Sequence, residues 1–195
     1  MIVTLGDYLD GGPDSRGVIE QLLALGGQCG LVPLLGNHEE MLLTAREGRA
    51  DLDSWLRFGG DATLASYGLE DLESFPRPHL DFLAGCRRFY ETDTHLFVHA
   101  NYWPNLPMAE QPANALLWEP LRADRAYPHY SRKTAVVGHT PQQDGSVLDL
   151  GFLICIDTGC CEGGWLTALD VGSGEYWQTN ERGQARQGHL WRRKP

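Results

Sequence analysis

The chain has 195 residues, 42% hydrophobic and 22% charged, the proportions of a soluble globular protein long enough to bury a sizeable core in one domain. Its 16 basic and 26 acidic residues leave a net charge of −10, which argues against a nucleic-acid duplex or an anionic membrane as partner but not against an anionic substrate held through a local cation. No apolar run approaches the roughly 20 residues of a membrane span; 5 cysteines without C-x-x-C spacing, and no signal-like start, point to a reducing cytoplasm rather than a disulfide scaffold.

In chain order, Ile2 to Leu5 read as a strand running into Gly6-Asp7, with Asp10 three residues on. PDSRGVIEQLLALGG predicts a helix started by Pro13 to Ser15, with Val18, Ile19, Leu22 and Leu23 as the buried stripe and Gly26-Gly27 as its end. LVPLL, bounded by Gly30 and Gly36, is a buried strand from which the helix HEEMLLTAREG is launched. From about 51 to 85 the pattern is helical, a cap that brings Trp55, Phe58 and Tyr67 to one apolar surface. From Cys86 onward RRFYET, HLFVHA, AVVG, SVLDL, FLICID, WLTALDV and EYWQT read as short strands, hairpin-linked at pairs such as Ser173-Gly174, in a mostly antiparallel sheet. The basic tail ARQGHLWRRKP is expected to fray. Strand and helix alternate first and a meander follows, which suggests an α/β sandwich of two sheets flanked by helices.

Four segments share one design, an apolar strand ending in a turn that carries a metal-capable side chain: TLGDYLD, LLGNHEE, FVHAN and VVGHT. They supply Asp7, Asn37, His99 and His139, each at the carboxyl end of a strand, where open α/β sheets form their crevice. One carboxylate, one amide oxygen and two imidazoles suit Mn, Fe, Zn or a similar divalent ion. Glu39 and Glu40 sit in the first turn of a helix, where acidic side chains favour the dipole whatever the function. His79, His95, His129 and His189 lie outside these segments and read as ordinary core or surface histidines.

GDYLDGGPDS, LLGNHEEM, FVHAN, VVGHTPQ and CIDTG followed by GGWLTALD resemble the calcineurin-like metallophosphoesterase superfamily, in its bacterial serine/threonine protein phosphatase-like branch. The resemblance runs from about Val3 to Trp177. It implies a sandwich of two mixed sheets flanked by helices, in a single domain over 1–195 with the helical cap at about 51–85. It also implies a phosphoric monoester hydrolase in which Asp7 bridges two metals and Asn37, His99 and His139 complete the second metal's shell. His38 matches the general acid that protonates the leaving alkoxide, and Asp10 the carboxylate that orients it. The implied chemistry is metal-assisted in-line attack on phosphorus. Implied metals are Mn, with Fe, Zn or Ni as alternatives; implied partners are a phosphoprotein, a small phosphoester or a dinucleotide.

The sequence departs from the family pattern in two places. No D-x-H occurs, so the strand, helix and G-D-x-H-G motif that precede GD-x-x-D in the family, with two private ligands of the first metal, have no counterpart. The chain is therefore expected to be N-terminally truncated, with one well-ligated metal site, a second weak or empty, and impaired turnover. Gly11 stands where the family places a phosphate-binding arginine, and Glu119-Pro120 follow Trp118 where a second is common, leaving Arg122, Arg125 or Arg132 to reach in. Two alternatives accompany the phosphoesterase reading: a catalytically weak remnant or phosphate-binding regulatory domain on the same fold, and a dinucleoside polyphosphate hydrolase.

Overall fold

A computed structural model describes residues 1–190, and the chain divides at Tyr90/Glu91 into two compact units. In the first, β1 (Ile2–Thr4) and β2 (Leu31–Pro33) form a parallel two-stranded sheet in register Ile2↔Leu31 to Thr4↔Pro33. Between them runs α1 (Ser15–Gly26), capped by Asp14, whose carboxylate accepts the Gly17 N–H at 2.8 Å. Its buried face is Ser15 and Ile19, with Leu22 half-buried. Val18 and Leu23, expected in the stripe, are exposed because this helix turns only a narrow face inward.

α2 (Asn37–Arg46) leaves β2 almost at once and is followed by α3 (Leu52–Trp55), a kinked turn (Leu56–Gly60), α4 (Asp61–Tyr67) and α5 (Arg77–Ala84). Trp55, Tyr67, Leu80 and Leu83 join Ile19 and Leu42 in one buried cluster with Tyr8 and Leu9. Burial of this apolar area holds the β1 turn against the helices. Phe58 does not share that surface: it is 60% exposed, on the kinked turn Leu56–Gly60.

The second unit is built on a five-stranded sheet, order β3-β4-β5-β7-β6, from β3 (Phe89–Glu91), β4 (His95–Val98), β5 (Thr134–Val137), β6 (Leu148–Asp149) and β7 (Leu153–Cys155). The unit boundary falls within β3. β4, β5 and β7 run parallel, and only β6 is antiparallel to β7. The mostly antiparallel expectation therefore fails for this sheet. Its central strands, buried along most of their length, carry continuous apolar runs, from which direction cannot be read. Between β4 and β5 lies α6 (Ala113–Leu117).

β8 (Leu166–Leu169), β9 (Glu175–Thr179) and β10 (Ala185–His189) form a separate antiparallel meander. β10 corrects the expectation of a frayed tail over 185–189, since it pairs with β9 from Ala185↔Thr179 to His189↔Glu175. Residues 191–195 of that expectation lie outside the described residues. Helices and several sheets together make the mixed α/β class. Among the described residues no helix is long and apolar enough to cross a membrane.

Candidate active site

In the first unit the turn after β1 carries Asp7 at φ 58° and Asp10 at φ 71°. Left-handed backbone is unfavourable for residues with a side chain and persists where surroundings over-determine it. Glu39 supplies that determination. Its fully buried carboxylate accepts the Asp7 N–H at 2.8 Å, the Tyr8 N–H at 2.7 Å and the Gly36 N–H at 2.9 Å. Burial, with the Asp7 charge beside it, pushes this carboxyl up to about 7 against the pull of those donors. Helix-dipole chemistry alone misses this role, because the partners lie 31 and 32 residues away in sequence. Gly36 is required where it stands: a Cβ there would collide with the Asp7 carboxylate and main chain.

α2 places Asn37, 6% exposed, and His38 in its first turn. The His38 N–H donates to Asp7 Oδ1 at 3.4 Å, and its ring Nδ1 lies 2.9 Å from Asp10 Oδ2. Burial disfavours the charged imidazole, but the hydrogen bond to Asp10 and the charges of Asp7, Asp10 and Glu39 outweigh it, so the His38 pKa is raised. Asp10 is itself buried and receives further donors: Trp55 Nε1–H at 3.0 Å on Oδ2 and the Thr63 hydroxyl at 2.6 Å on Oδ1. The Asp10 N–H donates in turn to Thr63 Oγ1 at 3.0 Å and Ser15 Oγ at 3.3 Å.

In the second unit His99 and His139 follow β4 and β5. The parallel register Phe97↔Val136 brings the two strand ends level, and the Gly138 N–H donates to His99 O at 2.8 Å. Gly138 is followed by His139 at φ 62°. His99 is 1% exposed, and its Nε2 lies 3.1 Å from His139 Nδ1. Two ring nitrogens converging in this way fit a pair of ligands on one borderline divalent ion. The adjoining chain is tied to the pair: the Ala100 N–H donates to Leu116 O at 2.9 Å, and the Leu121 N–H to Thr140 Oγ1 at 2.8 Å.

Asp7, Asp10, Asn37 and His38 thus lie in the first unit, where hydrogen bonds join His38 to both aspartates. His99 and His139 meet in the second unit. Glu39, Trp55, Thr63 and Ser15 are the supporting residues that strand-end motifs do not reveal; the one local hint is the Gly59-Gly60 pair beside Trp55. Arg122 and Arg125 line a cleft of 280 Å³ in the second unit, with Trp103, Tyr127, Asn101 and Glu119.

The sequence profile of the calcineurin-like phosphoesterases matches residues 1–153. Serine/threonine-protein phosphatase 1 of Salmonella typhimurium strain LT2 is 29% identical over 190 residues, covering 88% of this chain and 78% of that protein. Among solved structures, a putative diadenosine tetraphosphatase superposes with a TM-score of 0.60 at 19% identity, over 97% of this chain and 80% of the other. A cold-active protein tyrosine phosphatase superposes with a TM-score of 0.62 at 17% identity, over 95% of this chain and 67% of the other. These two likenesses establish a shared fold.

Proposed function

Since this chain belongs to the calcineurin-like phosphoesterase family, we propose that it hydrolyses phosphate monoesters, with phosphoserine and phosphothreonine in proteins as the substrate class. The observation that carries the reading is the His38–Asp10 pair: Nδ1 is committed to a buried carboxylate at 2.9 Å, so the ring presents its other nitrogen to a substrate. The Salmonella relative's name supports the substrate class. The free thiols of all five cysteines suit a reducing cytoplasm.

Asp7, Asn37, His99 and His139 would hold one divalent metal, with Mn²⁺ the best candidate for this mixed oxygen and nitrogen set. When bound, it supplies charge neutralisation on the phosphoryl oxygens and activation of water. The rest is the work of this chain's own side chains. His38 holds a proton at Nε2 and delivers it to the leaving oxygen. Asp10 fixes the ring's tautomer and direction. Glu39 fixes the Asp7 main chain, so that the carboxylate needs no reorganisation.

The test is a Mn²⁺ titration of the purified chain, followed by assay on a phosphoserine peptide and an aryl phosphate. One equivalent should bind, and His139→Ala should weaken binding by more than about 100-fold, beyond the usual cost of losing an outer-shell partner. Hydrolysis of the phosphoserine peptide that survives either Asp7→Asn or His38→Ala would remove the reading, and two tightly bound equivalents would remove its single-site form. The cleft walled by Trp103 and Tyr127 with Arg122 and Arg125 favours a second reading, a planar, anionic leaving group such as a nucleoside phosphate. A higher kcat/KM on a dinucleoside polyphosphate than on the peptide would select it.

A further inference from the structure

The catalytic pair accounts for one of the contacts made by the Asp10 carboxylate. The others come from the helical segment that follows α2. Trp55, 1% exposed, directs its indole N–H to Asp10 Oδ2 at 3.0 Å. Indole nitrogen is a donor only, so the polarity of this bond is fixed. Thr63, fully buried, accepts the Asp10 N–H at 3.0 Å; its own proton goes to Asp10 Oδ1 at 2.6 Å, and Ser15 Oγ completes the shell at 3.1 Å. One donor therefore grips each carboxylate oxygen. The plane of the group is locked, and a single direction on Oδ2 remains for His38 Nδ1.

The backbone around Trp55 is shaped to make this approach. The chain leaves α3 through a kinked turn, Leu56–Gly60, in which Gly59 has the non-helical φ 106°. A Cβ on Gly59 would meet Asp10 O at 2.6 Å and Asp10 Cβ at 3.0 Å, and one on Gly60 would enter the Trp55 ring. Both glycines thus let the helix lie against the two partners of one hydrogen bond. Glycine takes this positive φ without the penalty a side chain would carry, so the kink that brings Trp55 to Asp10 is open to Gly59 where it would be strained for other residues.

We infer that Trp55 and Thr63 are positioning residues for proton delivery: together they hold Asp10 in the one orientation that aims His38 at the leaving oxygen. This rests on the phosphoesterase reading above. In the step concerned, a water oxygen forms a bond to phosphorus as the bond from phosphorus to the ester oxygen breaks. The electron pair stays on the leaving oxygen, which takes the proton from His38 Nε2. The water's proton passes to solvent, and His38 is reprotonated from it. A leaving group that is already a stable anion needs no such proton, whereas an alkoxide does. Loss of aim therefore penalises poor leaving groups selectively.

The experiment compares Trp55→Phe, Thr63→Val and Thr63→Ser, all Mn²⁺-loaded, on p-nitrophenyl phosphate and on a phosphoserine peptide. Trp55→Phe and Thr63→Val should each lower kcat on the peptide by about tenfold or more and on the aryl phosphate by less than about twofold. Thr63→Ser, which keeps the hydroxyl, should restore the peptide rate. Equal losses on both substrates, or none, overturn the inference, because a merely structural role would not sort substrates by leaving group. A second readout needs no turnover and separates this inference from the functional reading. The hydrogen-bonded His38 Nδ1–H should give a downfield proton resonance that disappears in Asp10→Ala and shifts or broadens in Trp55→Phe and Thr63→Val. If that resonance is unchanged in both variants while the rest of the spectrum stays folded, the inference fails even if the enzyme is active. If no substrate is turned over, the functional reading fails and the resonance alone decides.

Discussion

The two clusters of candidate site residues are built on opposite plans. Around Asp10 the fold supplies the donors itself: Trp55, Thr63 and His38 converge on one buried carboxylate from three separate segments. At the ends of β4 and β5 two imidazoles face each other at 3.1 Å, placed by strand register with little help from helices. The first plan fixes a direction, which a proton donor needs. The second fixes a separation, which suits ligation. A side chain surrounded by protein partners is thus more informative about aim, and a converging pair about cargo.

The largest effect expected follows from that contrast. His38→Ala should lower kcat on a phosphoserine peptide by about 10²–10⁴-fold, the range for loss of a general acid, while Mn²⁺ affinity stays close to that of the parent chain. Parallel calorimetric and kinetic titrations check this, and a joint loss of metal and rate would erase the division of labour.

A smaller effect is structural. Gly60→Ala inserts a methyl group into the space of the Trp55 ring and should destabilise the protein by about 1–3 kcal/mol through overpacking, read from urea midpoints. A neutral result would show that the grip on Asp10 has slack.

The smallest expected effect lies outside both clusters. His79 is buried and its Nδ1 sits 2.7 Å from the Tyr67 hydroxyl; burial lowers its pKa in the fold. As pH falls, the unfolded chain takes up this proton first. The stability contributed is therefore full above about 6.5, the ordinary histidine value, and lost as pH falls through the depressed folded value. Urea midpoints between pH 7 and 5 should fall more for the parent than for His79→Gln; parallel slopes would refute the assignment.

Much of the candidate site's placement is legible in the sequence because it is local. GD-x-x-D, GNHE, VHAN and GHT each hold a strand end, its turn and the side chain within a few residues, and the turns carrying Asp7, Asn37, His99 and His139 stand where those strings put them. What stays hidden depends on separation along the chain. Trp55 and Thr63 lie 45 and 53 residues from Asp10, and no periodicity connects them. Glu39 is a similar case: its place in a helix's first turn has a sufficient local reason, which masks its grip on the turn after β1. Strand direction in the five-stranded sheet is hidden for another reason, since buried runs such as Thr134–Val137 look alike whichever way they point. β10 escapes notice because ARQGH has none of the apolar alternation that marks a half-buried strand.

The parallel pairing of β4 with β5 has a geometric consequence. Because Phe97↔Val136 sets His99 beside Gly138, next to His139, one residue inserted or deleted within either strand would shift a histidine by about 3.3 Å along the strand and invert its facing. The segment from 100 to 133 is under no such counting rule. A residue added there does not alter the register of β4 on β5. The spacing of the pair is thus fixed by two short strands, whatever the length of the chain that joins them.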